Sequence, residues 1–542
     1  MEGIFMINET IKSSLRQAMK ELGVSPIPSE INMERPANRD HGDWSSNLAL
    51  VVSKEAGRQA RDLAEQISEY VNANLPEGVE EVSTAGPGFI NFKVSLRCLL
   101  QVLVDVLEKG PDDFGQLQIG EGRKVNIEFV SANPTGPLHA GHARGACYGD
   151  AIASILSAVG FNVHREFYMN DRGLQMQIYG ESLQARKEGA VIPDGGYGGE
   201  YIIEWASLMP EGLSLSEIIE WGCAHAKQDQ QETLAELGIQ FDTWFSEKSM
   251  IENGGIEQAL GDLTSEGAAY EKDGATWLSS TNFGDDKDRV LVKSDGELTY
   301  LTPDIAYHRD KYERSDWLIN VWGADHHGYV ARMRAAMSAL GNDPNDLSIQ
   351  ITQLVKLVRA GQEVKLSKRQ GDIIELRHII EEIGSDATRF MYLLQSVDSK
   401  QTFDLELAAS HAMENPVYYV QMAHARLCSI ERNAKNEGFT RIDLSLSELE
   451  VLTHAREIEI LRYLEILPEI IELSARELAP HKIVTWTRDF ANAVHGFYHD
   501  CYVIGDGVST ELTNARLNLV VASRTGLKVG LDLLGVTAPE KM

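Results

Sequence analysis

The segment KVNIEFVSANPTGPLHAGHARG, residues 124–145, decides the fold of the middle of the chain. Its opening run VNIEFV is short, apolar and rich in β-branched residues, which predicts a strand. A loop of turn-forming residues follows, and an alanine-rich stretch to about Val159 predicts a helix. His139 and His142 stand three residues apart where this helix begins. The segment therefore predicts a strand, a tight loop and a helix N-terminus that carries two imidazoles.

Such a loop has the chemistry of an anion-binding site. A helix N-terminus at the carboxyl edge of a parallel sheet offers unpaired N–H groups and a partial positive charge to phosphate. Gly141 lets a ligand approach the backbone closely, and imidazoles there can donate hydrogen bonds to phosphate oxygens. A metal pair and purely structural histidines are the alternatives. No acidic third ligand follows at metal spacing, so we predict no metal site.

Strands and helices continue to alternate on both sides of this segment. NVHREFYM, DWLINVWG and IQITQLVKLV are predicted strands, and residues 174–187 and 329–340 are predicted helices. This alternation indicates a multidomain α/β protein built on a doubly wound parallel sheet. We assign residues 1–110 to an α+β domain, residues 111–385 to the sheet domain with an acidic insertion at about 181–300, and residues 386–542 to an all-α domain.

The charge of the chain is unevenly distributed. The 542 residues include 81 acidic and 50 basic side chains, a formal net charge of −31 that, taken whole, argues against a nucleic-acid partner. However, residues 181–300 alone hold 24 acids and 8 bases, whereas residues 1–110 and 411–542 carry only −5 each. Residues 351–370 carry +4, which points to an anionic ligand, with a solvated loop as the alternative.

Composition also excludes several classes of protein. No run reaches the roughly 18 apolar residues of a membrane span, and the start of the chain carries no basic stretch of a secretory signal. The five cysteines are scattered without a CxxC pair, which argues against a disulfide framework or a structural zinc site. We therefore predict a protein of a reducing cytoplasm.

The motifs resemble those of a known family. HAGH resembles the HIGH signature of class I aminoacyl-tRNA synthetases, and Lys365–Gly371, KLSKRQG, is similar to their KMSKS loop. EFVSANPTGPLHAGHARG is similar to the bacterial arginyl-tRNA synthetase version, as are four further elements: YMNDRGLQ (168–175), YLTPDIA (300–306), WGADHHG (322–328) and DATRF (386–390). In the first hundred residues, HGDW (41–44) and GPGFINF (86–92) resemble the family's tRNA-elbow domain.

The resemblance implies a Rossmann-like, HIGH-type catalytic domain and a carboxyl-terminal anticodon-binding domain. It implies that ATP, with Mg²⁺, activates arginine to the adenylate, which is transferred to the terminal ribose of tRNA(Arg), and that tRNA can be required for activation. The implied catalytic residues are His139, His142, Lys365 and Lys368; ATP contacts are Pro137, Gly141, Asp325, His326, His327 and Ser367; and arginine contacts are Glu128, Asn133, Tyr300 and Asp304.

A guanidinium pairs bidentately with carboxylates, so acids at Glu128 and Asp304 suit an arginine pocket, ordinary surface ion pairs being the alternative. Because such a pocket rejects neutral residues by itself, we expect no editing site in the acidic segment. Candidate tRNA contacts are Phe89, Asn91, Trp486, Phe497, Tyr498 and Tyr502, each of which could instead be a core residue.

We expect a monomer that binds tRNA, arginine and ATP and no membrane. The competing functions are another class I synthetase, an inactive tRNA-binding paralogue, and a simple nucleotidylyltransferase, for which the appended domains would have no purpose.

Overall fold

The computed structural model describes residues 2–36, 38, 41–364 and 374–542. The predicted KLSKR loop, with Lys365, Ser367 and Lys368, lies outside these residues. Within the described part of the chain, no helix combines the length and the apolar character needed to cross a membrane.

The first hundred residues form a four-stranded antiparallel sheet with helices packed on it. The sheet order is β1-β2-β4-β3. Residues 48–73 contain two helices, and the chain turns between them with Gly57 at a positive φ of 64°. The elements are α1 (Glu2–Glu21), β1 (Met33–Glu34), β2 (Trp44–Ser46), α2 (Leu48–Val52), α3 (Ala60–Ala73), β3 (Val79–Ala85), β4 (Phe89–Val94) and the linking helix α4 (Leu96–Asp113).

The middle of the chain builds the predicted parallel sheet, and the doubly wound fold class is confirmed. Five parallel strands stand in the order β12-β11-β5-β6-β7. The elements are β5 (Lys124–Glu128), α5 (Ala140–Ala158), β6 (Asn162–Met169), α6 (Leu174–Glu188), α7 (Glu200–Leu208), α8 (Leu215–Glu236), β7 (Thr243–Ser246), α9 (Glu247–Glu252), α10 (Gly255–Ser265), β8 (Ala269–Lys272), β9 (Ala275–Leu278), β10 (Arg289–Val292), α11 (Leu301–Arg314), β11 (Trp317–Gly323), α12 (Val330–Ala339) and β12 (Leu347–Thr352).

The acidic segment contributes one strand to this sheet. Its strand β7 pairs in parallel with β6, and Trp244 of β7 stacks on Phe167 with ring centroids 4.0 Å apart. A short apolar strand within an acidic, Gly-rich stretch gives little periodic signal, since four residues are too few to establish alternation. Only the hairpin strands β8, β9 and β10 form a separate small antiparallel sheet.

The predicted strand IQITQLVKLV is two strands in different sheets. Its first half is β12, and its second half leaves the main sheet to pair in parallel with a later strand. That later strand lies inside the region predicted to be all helical. The elements are β13 (Val355–Arg359), β14 (Gln362–Glu363), α13 (Leu376–Ile383), α14 (Ser385–Tyr392), β15 (Gln401–Asp404) and α15 (Leu405–Ala409).

The remaining chain is a helical bundle, as predicted. Its apolar faces bury residues such as Leu461, Phe490 and Leu519, which are inaccessible to solvent. The helices are α16 (Pro416–Asn436), α17 (Leu446–Leu449), α18 (Ala455–Arg476), α19 (His481–Asp500) and α20 (Thr510–Leu533).

One buried arginine joins the bundle to the sheet domain. The Arg389 guanidinium, from α14, donates to the carbonyl of Leu534 just after α20 (2.9 Å), to the carbonyl of Leu237 just after α8 (2.8 Å), and to Asp150 Oδ2 in α5 (2.5 Å). Gly535 lies against this guanidinium at a φ of 65°, and a Cβ there would overlap it. Only glycine satisfies both the positive φ and the close approach.

We predict that Gly535→Ala lowers the midpoint of thermal unfolding, because it adds backbone strain and displaces a buried, paired charge. Gly438→Ala is the matched control, since Gly438 has a φ of 87° and a Cβ added there would meet no atom within 4 Å. The control should lose about 1 kcal/mol from the positive φ alone, and Gly535→Ala about 3 kcal/mol or more. Equal losses in the two variants would contradict this account of Arg389.

Candidate active site

The two histidines cap the helix that begins the site. His139 is the N-cap of α5, and its Nδ1 accepts a hydrogen bond from the Gly141 N–H at 3.1 Å. His142 Nδ1 accepts from the His139 N–H at 3.2 Å. The two rings lie 3.8 Å apart between centroids. Orphan N–H groups of the first turn are thereby satisfied by imidazole nitrogens instead of the usual hydroxyl or carboxylate.

These caps fix the tautomer of both rings. Because a backbone N–H can only donate, each Nδ1 must be an acceptor, and the proton of a neutral ring must therefore sit on Nε2. Burial, together with the neighbouring His139, lowers the pKa of His142 to about 3. His142 is consequently neutral at pH 7 and presents an Nε2–H donor.

The backbone between β5 and the loop is held in an unusual conformation. Val130 and Ser131 have positive φ values of 69° and 47°, which are costly for residues that carry a Cβ. Ser131 Oγ donates to Glu128 Oε1 (2.9 Å) and accepts from the Tyr168 N–H (3.2 Å). The Ser131 hydroxyl thus ties this turn to the ends of β5 and β6.

A cluster of acids and tyrosines lies beside this turn. Asp304, in the first turn of α11, accepts a hydrogen bond at Oδ2 from the Tyr329 hydroxyl at 2.6 Å. Glu247 accepts from the Tyr168 hydroxyl at 2.7 Å and pairs with Arg172 at 3.2 Å. Burial raises the pKa of Asp304 to about 7 although the Tyr329 hydrogen bond lowers it, and the negative charges of Glu128 and Glu247 add smaller increases.

Glu128 has a cationic partner inside the protein. Its Oε2 accepts from the buried Lys311 ammonium at 2.8 Å, so that its charge is already neutralised. Lys311 also donates to Asn320 Oδ1, and the Asn320 amide donates to His308 Nε2. Lys311 lies two turns after Asp304 on the same helix, and its ion pair with Glu128 could not be read from sequence because 183 residues separate the partners.

The residues that follow the KLSKR segment are tied to the histidine turn. The Ala140 N–H donates to the carbonyl of Ile374 (2.9 Å), and the Leu376 N–H donates to the carbonyl of Leu138 (2.8 Å). On the other side, β14 pairs with β13 in a hairpin. The described chain thus resumes after the segment directly beside His139.

Comparisons with known proteins match the whole chain. Family models described as the arginyl tRNA synthetase N terminal domain, the class I (R) tRNA synthetase catalytic domain and the DALR anticodon binding domain match residues 9–94, residues 104–192 with 216–450, and residues 420–542. An arginine–tRNA ligase of Caldanaerobacter subterraneus subsp. tengcongensis is 43% identical over 99% of this chain and 98% of that protein. The chain belongs to the arginyl-tRNA synthetase family.

Other members of the family agree. The arginine–tRNA ligase of Bacillus subtilis is 41% identical over 99% of both chains. The solved arginyl-tRNA synthetase of Thermus thermophilus, 22% identical, has the same fold, with a TM-score of 0.76 over 98% of this chain and all of that one. The resemblance seen in the motifs is confirmed, and the chain is an aminoacyl-tRNA ligase of class I with arginine–tRNA ligase function.

The predicted contacts of this synthetase with ATP and arginine fall into two groups. Pro137, His139 and His142 line one cavity of about 600 Å³, together with Asn133, whose amide donates to Gln175 Oε1 at 2.7 Å. Asp325, His326 and His327 are exposed, at the carboxyl end of β11 next to β5 in the sheet. Their predicted ATP contacts stay predictions.

Tyr300 is not brought into the acid cluster. Its ring is 90% exposed, because the residue precedes the first turn of α11 and extends into solvent.

Gly141 is exposed in the first turn of α5, where a Cβ would overlap the His139 ring. Among the residues that the structure describes, no group of three His, Cys, Asp or Glu side chains is placed to hold a metal ion.

Two of the predicted tRNA-binding aromatics are core residues. Trp486 is 3% exposed, its ring packs on Phe490, and its Nε1–H donates to the carbonyl of Tyr463. Phe497 is inaccessible to solvent. Both predictions are wrong in this structure, because the inward face of α19 cannot be told from sequence without its neighbours. In the first domain, Phe89 is partly exposed and Asn91 is buried.

The other two candidate aromatic residues of the bundle are exposed, and one of them lies under an arginine guanidinium that the sequence analysis did not identify. Tyr498 is 45% exposed, and the Arg426 guanidinium lies over its ring at 5.0 Å. Arg426 also contacts His495, whose ring meets that of Tyr419. Tyr502 is 73% exposed. Only the pairing of α16 with α19, which places Arg426 over Tyr498, reveals this surface.

The raised pKa of Asp304 predicts a stabilising substitution. A carboxyl group whose pKa is higher in the folded than in the unfolded state costs stability as pH rises from about 4 to about 7. Asp304→Asn removes this penalty, so it should raise the unfolding midpoint by about 2 °C or more at pH 8 and by less at pH 5. Asp325→Asn, on an exposed carboxylate, is the control. A stabilisation that does not grow with pH would refute the assignment.

Proposed function

We propose that two adjoining groups of side chains bind the small substrates for the ligation of arginine to tRNA. The His139 turn holds the phosphates of ATP, and the cluster around Asp304 holds the guanidinium of arginine. The observation that carries this proposal is that Ser131 and Glu128 join the two groups. Ser131 belongs to the turn that leads to His139, and it bonds to Glu128, which pairs with Lys311 on the Asp304 helix. Both substrates would thereby meet at the end of β5.

The chemistry required of the protein is positioning and charge stabilisation. The arginine carboxylate attacks the α-phosphate of ATP, pyrophosphate leaves, and the terminal ribose 2′-hydroxyl of tRNA then attacks the adenylate. Because the first nucleophile is already an anion, it needs no strong general base. The Nε2–H donors of His139 and His142 can stabilise the phosphate charge that develops during the transfer. Mg²⁺ would enter with the phosphates of ATP.

The predicted lysines complete this phosphate site. Lys365 and Lys368, with Ser367, would hold the β- and γ-phosphates, and Gly141 and Pro137 would border the nucleotide. The support lies in the hydrogen bonds of Ala140 and Leu376, which bring the chain that follows these lysines to the histidine turn. Asp325, His326 and His327 would face the ribose from the neighbouring strand end.

Selectivity for arginine would come mainly from Asp304. Glu128 is neutralised by Lys311, whereas Asp304 has only a tyrosine hydroxyl as its hydrogen-bond partner among the described side chains. A guanidinium entering beside Asp304 would favour its ionised form, and a neutral amino acid would leave a buried carboxyl group without a charged partner. Asn133 would hold the amino-acid head group, and Tyr300 would have to turn inward to contact arginine.

The tRNA would be bound at both ends of the molecule. Phe89, at the β3–β4 hairpin, would meet the elbow, with Asn91 behind it, and Tyr498, Tyr502 and Arg426 would stack on anticodon-loop bases. We also propose that the enzyme is a monomer of the cytoplasm, where the five described cysteines, all free thiols, would be stable.

The substrate assignment is tested by ATP–pyrophosphate exchange with each of the twenty amino acids, with and without tRNA. Arginine should support exchange, and tRNA should raise its rate. Because no other amino acid presents a guanidinium to Asp304, lysine should be among those rejected. Exchange with another amino acid in preference to arginine would overturn the proposal.

Arginine affinity should depend on pH through Asp304. As pH falls through about 7, the fraction of ionised Asp304 falls, so the dissociation constant of arginine should rise, by about tenfold per pH unit well below this pKa. Calorimetry at pH 5.5 to 8.5 in buffers of different ionisation enthalpy should detect proton release on binding near pH 6. In Asp304→Asn, arginine should bind weakly and without this pH dependence. A wild-type affinity that is flat across this range would exclude Asp304 as the guanidinium partner.

A further inference from the structure

The loop between β5 and α5 is held from outside by two residues of the acidic segment. Gln230 of α8 donates from Nε2 to the carbonyl of Asn133 (3.0 Å) and to the carbonyl of Gly136 (2.9 Å). Tyr201 of α7 donates from its hydroxyl to the carbonyl of Thr135 at 3.0 Å. Three carbonyls within four residues are therefore bound by side chains that come from far later in the chain.

Both donors are themselves firmly placed. Gln230 is only 1% exposed, and its amide orientation is unambiguous, because only the NH₂ group can donate to two carbonyls. Tyr201 packs edge-on against Trp205, with ring centroids 5.0 Å apart, in a small apolar cluster of α6, α7 and α8. Burial raises the pKa of Tyr201, so its hydroxyl remains a donor at neutral pH.

The Tyr201 ring also packs closely against the loop. A Cβ on Gly136 would lie 3.0 Å from the ring and hydroxyl of Tyr201. Glycine at this position therefore allows the loop to lie flat against the tyrosine. The fit explains why the NPTGP loop needs a glycine although Gly136 has no positive φ in this structure.

We propose that Tyr201 and Gln230 are positioning residues for adenylate formation, which act by fixing the loop that carries Asn133 and Pro137 and leads to His139. This inference rests on the proposed function, since it assumes that the His139 turn holds the phosphates. It gives the acidic segment a role in catalysis: its helices α7 and α8 form a rigid wall against the nucleotide loop.

The physical reason is the sensitivity of phosphoryl chemistry to geometry. A displacement of about 1 Å at the reacting groups can cost on the order of 100-fold in rate. Residues 130–137 of the loop belong to no strand or helix, and the turn at Val130 and Ser131 is strained. The side-chain donors of Gln230 and Tyr201 replace the backbone hydrogen bonds that a strand or helix would supply. They also keep the loop from moving to relieve the strain of this turn.

The test compares Tyr201→Phe and Gln230→Met with Tyr179→Phe in the full-length enzyme. Tyr179 belongs to the same apolar cluster, and its buried hydroxyl likewise donates to a carbonyl, that of Gly222 in α8. Tyr179→Phe therefore removes an equivalent hydrogen bond that does not reach the loop. His142→Ala serves as the reference for the site itself.

We expect Tyr201→Phe and Gln230→Met each to lower kcat of ATP–pyrophosphate exchange on the order of tenfold. Tyr179→Phe should retain the wild-type kcat, although all three variants should lose similar thermal stability. The inhibition constant of agmatine, which has the guanidinium but lacks the carboxylate, should be unchanged, since Asp304 lies outside the loop. The double variant should lose less than the product of the single effects, because both residues hold one loop.

Two outcomes would overturn the inference. If His142→Ala lowers kcat but Tyr201→Phe and Gln230→Met behave like Tyr179→Phe, the loop is not positioned from the acidic segment, and the proposed function stands. If His142→Ala has no effect on kcat, the proposed phosphate site and the inference fall together. Should Gln230→Met fail to fold, Tyr201→Phe alone decides, because it removes one hydroxyl and keeps the ring against Gly136.

Discussion

The fold depends on one buried guanidinium. Arg389 has no accessible surface, and an unpaired charge in that position would be very costly. The guanidinium donates hydrogen bonds to Asp150 of α5 and to the carbonyl groups of Leu237 and Leu534, which lie at the ends of α8 and α20. The sheet domain, the acidic segment and the carboxyl-terminal bundle therefore meet at one side chain. A shift of any one of the three elements would leave part of this charge without a partner.

The helix that begins at His139 is held along its length by similar ties. Arg144 donates to the carbonyls of Gln353, Ser396 and Ser399, and the Tyr148 hydroxyl donates to the carbonyl of Leu478 between α18 and α19. Together with Asp150 these residues anchor α5 to β13, β15 and the bundle. The end of α5 that carries His139 can therefore not be displaced independently of the helices proposed to bind tRNA. The carboxyl-terminal bundle and the loop that leads to His139 are thereby held at fixed positions relative to each other through α5.

The sequence predicted what depends on local pattern. The strand Asn162–Met169 has the bounds expected from its run of residues, and the loop and helix around HAGH follow from turn chemistry and the alanine-rich helix. Features set by distant partners could not be predicted. Lys311 neutralises Glu128 only because α11 packs against the sheet, and the burial of Trp486 follows from its contact with Phe490. The motif resemblance named candidate site residues, but not which of them the fold leaves exposed.

The treatment of the two carboxylates near the site shows how function limits stability. Glu128 could have remained a free acid, but it is compensated by Lys311, and its bond with Ser131 makes it part of the framework. Asp304 receives no cation from the described part of the chain, and burial raises its pKa to about 7. If only folding mattered, a lysine beside Asp304 or an asparagine in its place would remove the cost of burying this carboxyl group. The fold instead leaves one acid uncompensated, and this acid is the group that we propose as the partner of the substrate guanidinium.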